Sequence, residues 1–355
     1  MKEWDLMMEV FKSKYIPEDK LFSFYNEVGQ NIYKLARDIN LEIISLHDYV
    51  LFNVFSDIDF YKLVGNSPMW VRDAGHSEES CLTKKQFEKL VKLNNNILTN
   101  KFLYYHDLEA LVNSVQNRFS MITKMIDLLY FKLSPVLDLK ISEYDNVGFS
   151  PNIETHALLN TAIINVCSCC DILTKLTYEL SNISDITYEN YPKLKSKDIL
   201  YSSIKHLPSD LKQDNTLFSK KRPKVIAMFD SLRNEIIHNG SLDFNYSVYY
   251  GNKNKNIYSW IFFPEFEEIG TLSSYNARRK FYPDAQKTFN TELPLMCVEF
   301  LSIALETIKT LNSKFACQYF SSDNELERFK MEVLNWYTSY VSGFSPKNDR
   351  ENDDH

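Results

Sequence analysis

An arginine and a histidine lie close together near the end of a predicted helix, within residues 231–240. Arg233 is followed directly by the polar Asn234, and His238 comes four residues after Asn234. Arginine presents a permanently charged fork that binds phosphate oxygens, and histidine exchanges protons near neutral pH. Phosphodiester cleavage without a metal needs a fixed cation and a proton-transfer group, so this pair could perform that chemistry.

The pair suits cleavage of RNA in particular. The 2′-hydroxyl attacks the adjacent phosphorus and displaces the 5′-oxygen, so one proton is removed and another is donated. His238 would perform one transfer, Arg233 would stabilise the phosphate charge, and Asn234 would orient the imidazole or contact phosphate. A symmetric dimer would supply the second proton-transfer group. From spacing alone, the commoner alternative is that Arg233 pairs with Asp230 or Glu235 while His238 only ends a helix.

A helix over residues 224–238 must position these side chains. Asp230, Asn234 and His238 are spaced by four and share one stripe of this predicted helix. Arg233 lies between that stripe and the core face, so its stem can be packed while its guanidinium reaches the polar side. The core face consists of four apolar residues at helical spacing, namely Val225, Phe229, Leu232 and Ile236.

Helices are predicted for most of the remaining chain. It has 355 residues, of which only 8 are glycine and 11 are proline, with 44% apolar and 25% charged residues, as in soluble helix-rich proteins. Thr83 is expected to cap a helix, with Gln86 at the capping-box position. The other helices are expected over 1–64, about 104–133 ending before Pro135, 153–180, 284–318 with Pro294 starting or kinking a segment, and near the C-terminus.

Three segments break the helical pattern. Residues 65–82 are predicted to form a polar loop, and residues 138–152 a linker or domain boundary. Alternating apolar residues from Leu242 to Tyr250, a turn at 251–255 and a second apolar run to Phe263 predict a β-hairpin.

The string from Leu232 to Gly240 resembles the signature of the HEPN family. That signature is an arginine, usually followed by a polar residue, with a histidine a few positions later near the end of a helix. Four residues separate Arg233 from His238 here, and an apolar pair precedes the histidine. The long predicted helix 153–180 is similar to the first helix of HEPN domains, which packs against the motif helix. The resemblance covers about half of the chain.

The resemblance implies a mainly α fold, with a HEPN-like α-helical bundle that carries a β-hairpin insertion. The resemblance places a HEPN-like domain at 150–320, with its hairpin at about 242–263. The residues themselves predict a helical N-terminal region at 1–140 that is regulatory or partner-binding, a C-terminal helix at 321–343 and a disordered tail at 344–355. HEPN domains dimerise with their Arg/His pairs at a shared cleft. Many are metal-independent ribonucleases of toxin–antitoxin, phage-defence and CRISPR systems, and others are inactive binding modules.

Further residues are candidates for supporting roles. Five polar side chains could assist the Arg/His pair, or could simply be satisfied by helix packing: Asp230, Glu235, His156, Asn160 and Asp171. Two basic runs could hold RNA phosphates, or could be solvated loop charge: Lys220, Lys221, Arg222 and Lys224, and then Arg278, Arg279 and Lys280. Six cysteines lack zinc spacing and are expected to be buried free thiols, so no metal or cofactor is predicted.

Charge and hydropathy limit the classes of partner. The net charge of −7 argues against a constitutive non-specific nucleic-acid binder, but allows a locally basic cleft. The absence of a signal-peptide block and of a long uncharged apolar run predicts a cytoplasmic protein that does not bind membranes. The expected partners are an RNA substrate, a second copy of the chain and a possible regulatory protein. The rival hypotheses are an inactive HEPN-type binding or scaffold module, and an unrelated helical protein with a chance motif.

Overall fold

The computed structural model describes residues 27–55, 70, 82–95, 97–133, 147–182, 199–202, 207–240, 242, 243, 245–253, 256–274 and 283–315. The chain divides into two compact units. Unit 1 comprises Met1–Ala36, Asn113–Ser181 and Lys195–Thr307, and unit 2 comprises Arg37–Val112, Asn182–Leu194 and Ile308–His355. The predicted domain boundaries, the C-terminal helix and the tail stay predictions, and the last two lie outside the described residues.

The described part of the chain is mainly helical, as the sequence predicts. Its α-helices are α1 (Glu27–Phe55), α2 (Lys84–Leu93), α3 (Ile97–Leu133), α4 (Ile153–Asn182), α5 (Lys224–Asn234) and α6 (Phe289–Phe315). A 3₁₀ turn at Ser209–Leu211 and a π-helical turn at Glu235–Asn239 are also present. The strands are β1 (Val147–Pro151), β2 (Ser247–Lys253), β3 (Asn256–Trp260), β4 (Phe262–Pro264) and β5 (Pro283–Thr288).

Local signals locate several helix ends correctly. The Thr83 side chain accepts a hydrogen bond from the Gln86 backbone at 3.3 Å, and the Gln86 side chain accepts one from the Thr83 backbone at 2.8 Å. This reciprocal pair confirms the predicted capping box at the start of α2. Helix α3 ends at Leu133, before Pro135 as predicted, but it begins at Ile97 rather than near residue 104.

The hairpin belongs to a three-stranded antiparallel sheet with the order β1-β2-β3. Its β1 strand lies inside residues 138–152, so the prediction of a linker is wrong for 147–151. Ser150 pairs with Val248, and Tyr249 pairs with Trp260. A short strand such as β1 is stabilised by its partner strand, so its own residues carry little local signal.

The first predicted strand of the hairpin begins later than its alternation indicates. The Asp243 carboxylate accepts hydrogen bonds from the backbone N–H groups of Asn245 at 2.8 Å and Ser247 at 2.9 Å. Tyr246 has a φ of 50°, in the left-handed region, so the chain turns before β2 starts at Ser247. Residues 251–253, predicted as a turn, instead extend β2 to Lys253.

The segment from 284 to 318 is only partly helical. Residues 283–288 form strand β5, which pairs with β4 in a second sheet, so a helix beginning at 284 is the wrong prediction for these residues. The apolar run that ends at Phe263 is likewise divided, because Ile261 interrupts β3 and β4. The Ile261 carbonyl accepts a 2.8 Å hydrogen bond from the Phe289 backbone, which ties the start of α6 to this sheet.

Pro294 lies inside α6 rather than at its start. Proline has no N–H, so the carbonyl four residues earlier, that of Asn290, loses its helical hydrogen bond. The Tyr130 hydroxyl of α3 donates to this Asn290 carbonyl at 2.7 Å. Tyr130 is 5% exposed, and burial raises the pKa of its phenol, so this donor stays protonated. A side chain on another helix thus compensates for the proline.

We expect Tyr130→Phe to lower the free energy of unfolding by about 1–3 kcal/mol, because a part-buried carbonyl would lose its donor. Urea unfolding followed by circular dichroism measures the change. Tyr250→Phe is the matched control, since within the described ranges the Tyr250 hydroxyl has no hydrogen bond, and it should change stability by no more than about 0.5 kcal/mol. Equal effects of the two substitutions would contradict the proposed role of Tyr130.

Helix α4 forms part of the interior of unit 1. It is long and apolar enough to cross a membrane by length and composition, but half of its most apolar 18-residue window is buried inside the protein. Leu159, Ile163 and Leu173 on this helix are fully buried. Core packing therefore accounts for its apolar composition.

Candidate nucleic-acid site around helix α5

Aromatic packing anchors α5 inside unit 1. The Phe229 ring, which is 0% exposed, meets the Phe300 ring of α6 edge-on, with 6.2 Å between centroids. Phe300 in turn stacks on Phe119 of α3 at 6.1 Å. Val225 and Leu232 are buried beside Phe229, as the predicted core face requires, whereas Ile236 is only half-buried.

A loop holds another face of α5. Gly270 has a φ of 89°, and a Cβ at this position would lie 2.8 Å from the Lys224 carbonyl oxygen and 3.1 Å from the Ala227 Cβ. Only glycine allows this close approach of loop and helix. The Ser231 hydroxyl accepts a 3.0 Å hydrogen bond from the Leu272 backbone. With two faces packed, α5 can present Arg233 on a rigid support.

The helix that carries the motif changes its winding immediately after Asn234. Regular α-helix ends there, and Glu235–Asn239 form a π-helical turn, so the prediction of one α-helix over 224–238 is wrong for its last residues. The predicted stripe that Asp230, Asn234 and His238 would share is therefore interrupted at Asn234.

The π-helical turn changes the angle between Arg233 and His238. Residues five apart lie about 140° from one another around an α-helix, which would separate the two side chains. A π turn closes i→i+5 hydrogen bonds, and this wider winding brings residues five apart toward the same face. His238 lies in this π turn and Arg233 in the α-helical turn just before it. On this winding we expect a smaller angle between the two side chains than on a regular α-helix.

The two side chains have different surroundings. The Arg233 guanidinium donates a 3.0 Å hydrogen bond to the Asn234 side-chain oxygen and is half-buried. Among the residues that the structure describes, no carboxylate lies within ion-pair distance of Arg233. His238 is exposed, and the chain then leaves the turn at Gly240, which has a φ of 116°. Arg233 thus keeps most of its donors for a ligand, and His238 is accessible to solvent.

A cavity of about 350 Å³ lies between α4, α5 and the two segments 200–202 and 219–222. Three cationic side chains line it, namely Lys220, Arg222 and Arg233. Two carboxylates, those of Asp171 and Asp230, line it as well, together with apolar side chains such as Phe229. All of these residues belong to unit 1. The cavity therefore combines one net positive charge with an apolar wall.

Charge pairs order the cavity wall. Arg222 forms a 3.2 Å ion pair with Asp230 and lies over the Tyr201 ring, 5.5 Å from its centroid. The Asp171 carboxylate accepts a 2.8 Å hydrogen bond from the Tyr201 backbone N–H. Burial raises the pKa of the Cys167 thiol to about 12, so this side chain at the cavity is a neutral thiol. Arg233 and Lys220 are the cavity cations that form no ion pair with another described residue.

The supporting residues suggested by the sequence separate into two groups. Asp171 and Asp230 line the cavity with Arg233. Glu235 lies in the π turn and accepts a 2.8 Å hydrogen bond from the Asn239 side chain. His156 and Asn160 lie near the start of α4, roughly 16–22 Å along the helix from Asp171 at 1.5 Å per residue, and neither lines the cavity.

His156 supports the sheet instead. It is 2% exposed, its Nε2 lies 3.1 Å from the Ser247 carbonyl oxygen, and its ring meets the Tyr246 ring edge-on. Burial lowers the pKa of His156, so the neutral imidazole is favoured there. These contacts join the start of α4 to the start of β2.

Only some of the basic residues suggested by the sequence lie at the cavity. Lys220 and Arg222 line the cavity, whereas the exposed Lys221 and Lys224 do not. The second run, Arg278, Arg279 and Lys280, lies outside the described residues.

The four described cysteines are free thiols: Cys167 is half-buried, and Cys169, Cys170 and Cys297 are buried, as predicted. Leu200, Tyr201, Ser202 and Ser219 also line the cavity and carried no recognisable sequence signal.

A separate titratable cluster lies in unit 2. The Glu109 carboxylate is 3.3 Å from His106 Nδ1 and 3.8 Å from His47 Nε2. Burial alone would raise the pKa of Glu109, but the hydrogen bonds from His106 and His47 outweigh burial and lower it to about 2. Within the described part of the chain, no group of three or more His, Cys, Asp and Glu residues could hold a metal ion.

The arrangement around α5 offers a rigid cation, an accessible proton-transfer group and a partly apolar cavity. No family model, no curated protein and no solved structure matches this chain. What the chain does therefore has to be inferred from the chemistry of its own side chains.

Proposed function

We propose that this chain is a metal-independent HEPN-type endoribonuclease that cleaves RNA by 2′-hydroxyl attack, with the Arg/His pairs of two chains at a dimer cleft. The observation that carries the proposal is the π turn at Glu235–Asn239, whose wider winding we expect to reduce the angle between His238 and Arg233. A phage-defence or toxin–antitoxin role follows from the HEPN resemblance.

Arg233 has the contacts expected of a phosphate ligand. Its guanidinium is half-buried, rigidly supported and bonded to the neutral Asn234 rather than to a described carboxylate. A partly desolvated arginine that lacks a carboxylate partner attracts an anion strongly. In the reaction, its N–H donors would bind the non-bridging oxygens, where negative charge accumulates as the 2′-oxygen adds to phosphorus.

His238 provides proton transfer. It would accept the proton of the 2′-hydroxyl, or donate a proton to the departing 5′-oxygen. The oxygen–phosphorus bond to the 2′-oxygen forms as the bond to the 5′-oxygen breaks, which leaves a 2′,3′-cyclic phosphate and a 5′-hydroxyl. One histidine performs one transfer, so the second comes from the His238 of another copy of the chain in a symmetric arrangement. Asn234 would hold Arg233 in position through its 3.0 Å hydrogen bond.

Cleavage of mixed RNA in EDTA tests the proposal. The purified full chain should leave 2′,3′-cyclic phosphate ends, because neither proton transfer nor charge stabilisation requires a metal. The alternative, an inactive HEPN-type binding or scaffold module, is favoured by the net charge of −7 and predicts RNA or protein binding without cleavage. Cleavage that stops in EDTA would contradict the metal-independent mechanism.

Mixing two inactive variants tests the shared cleft. We expect Arg233→Ala and His238→Ala to be inactive separately, and their mixture after dissociation and reassociation to recover at least roughly tenfold more cleavage, because mixed dimers regain one arginine and the histidine for one of the two proton transfers. The matched control mixes His238→Ala with a chain that carries both substitutions, and it should show no recovery. Equal rates in the two mixtures would show that each chain works alone.

A further inference from the structure

The cavity beside Arg233 is larger than a phosphate requires. Its volume of about 350 Å³ lies within the range of about 300–1,000 Å³ that is typical of small-molecule sites. Arg233 is the member of the catalytic pair that belongs to its wall. A phosphate held by Arg233 would therefore bring the nucleoside attached to it to the mouth of the cavity.

The wall suits a flat ring. The Arg222 guanidinium lies over the Tyr201 ring, 5.5 Å from its centroid, and is held by its 3.2 Å ion pair with Asp230. Bases that leave a nucleic-acid stack pack against aromatic rings and arginine planes of this kind. The 44%-exposed Leu200 adds apolar surface to the same cavity.

The polar groups of the wall discriminate between bases. Asp171 and Asp230 are hydrogen-bond acceptors when ionised, and each uses one oxygen in its described contacts. Within the part of the chain that the structure describes, the second oxygen of each carboxylate has no ion-pair or hydrogen-bond partner. Adenine, cytosine and guanine carry an exocyclic amino group with two N–H donors for such oxygens, whereas uracil has no amino group and donates only through its ring N3–H.

We infer that this cavity is a base-binding subsite that selects a nucleotide with an exocyclic amino group next to the scissile phosphate. The inference rests on the proposed function, because it assumes that Arg233 holds a phosphodiester. Asp171 and Asp230 would accept hydrogen bonds from the amino group. The Arg222 guanidinium and the Tyr201 ring would support the base, and Lys220 would add positive charge. The enzyme would cut least readily where uridine must occupy this subsite.

Binding of mononucleotides to the His238→Ala protein tests the inference without cleavage. We expect AMP, CMP or GMP to bind at least about tenfold more tightly than UMP in calorimetric titrations at fixed salt, because a charge-assisted hydrogen bond distinguishes them. Equal binding of all four, or preference for UMP, would overturn the base subsite. Absence of binding by any of the four would overturn it too, while RNA cleavage by the unmodified chain tests the proposed function separately.

Two pairs of matched variants locate the binding. In the His238→Ala background, Asp171→Asn should abolish the preference over UMP, because an amide presents N–H donors, whereas Asp127→Asn on the surface of α3 should preserve it. Lys220→Ala should weaken all four mononucleotides several-fold, and Lys221→Ala, which alters a side chain outside the cavity, should not.

Folding defects can be separated from loss of binding. Asp171 also bonds the Tyr201 backbone, so thermal unfolding of Asp171→Asn must accompany its titration. Leu200→Trp tests the cavity without altering Asp171. The larger ring would block the cavity from an exposed position and should weaken the binding of AMP more than tenfold. Leu295→Trp, at a 52%-exposed position on α6, is its control. Unchanged AMP binding by Leu200→Trp would exclude the cavity as the subsite.

Discussion

Replacing His238 with alanine is expected to lower the RNA-cleavage rate by roughly 10²–10⁴-fold, because proton transfer by a positioned side chain contributes about that much. The exposed imidazole is outside the core, so the free energy of unfolding should change by no more than about 0.5 kcal/mol. Initial rates on a labelled oligoribonucleotide in EDTA, with urea unfolding of both proteins, measure the two quantities. Undiminished cleavage would remove His238 from the mechanism.

A positional swap makes this prediction specific. Ile237→His combined with His238→Ile keeps the composition of the π turn and exchanges two exposed positions. The histidine would then lie one residue earlier, away from the face of Arg233, so we expect a loss of cleavage close to that of His238→Ala. Asn239→Ala, which removes an exposed side chain from the same turn, should retain cleavage. Full activity of the swapped chain would mean that the winding of the turn is irrelevant.

Replacing Phe229 with alanine is expected to cause the largest loss of stability, about 3–5 kcal/mol. Phe229 is 0% exposed and packs against the Phe300 ring, so the substitution leaves a cavity that rigid helices cannot close completely. A loss of this size is a large share of the roughly 5–15 kcal/mol that stabilises a typical protein. Because Phe229 and Arg233 belong to the same helix, Arg233 should lose its support and cleavage should fall as well.

Urea unfolding provides the measurement for Phe229→Ala, through the shift of the midpoint at unchanged slope. Phe131→Ala is the matched control, because this phenylalanine is 74% exposed on α3 and should cost no more than about 0.5 kcal/mol. A cost below about 1 kcal/mol for Phe229→Ala would contradict the aromatic anchor of α5.

Strongly periodic segments were predictable, whereas their non-local partners were not. The sequence predicts α4 over 153–180, and the helix spans Ile153–Asn182, because its apolar repeat and its start signal are both local. Strands β1 and β5 were missed, since each forms only against a strand that is distant in the chain. The Asp243 turn likewise shortened an alternating run that local pattern alone extends.

The candidate site shows the same division. Arg233, Asn234 and His238 could be selected from residue type and spacing, because these determine which chemistry is available. The grouping of Arg233 with Asp171 and Lys220 could not be predicted, since these residues come from different elements that tertiary packing brings to one cavity. Asp171, His156 and Asn160 were all candidates for supporting roles, yet only Asp171 reaches the cavity, because the three lie at different heights along α4.

The sequence by itself determined the helical class of the fold, the apolar face of α5 and the presence of an arginine and a histidine close together near its end. Those properties depend on interactions within a few residues, which the order of side chains specifies directly. Only the tertiary structure decided that a π turn follows α5, and that a cavity lined by both carboxylates and cations lies beside Arg233. Both depend on what packs against α5, and packing is a property of segments that meet only after the chain has folded.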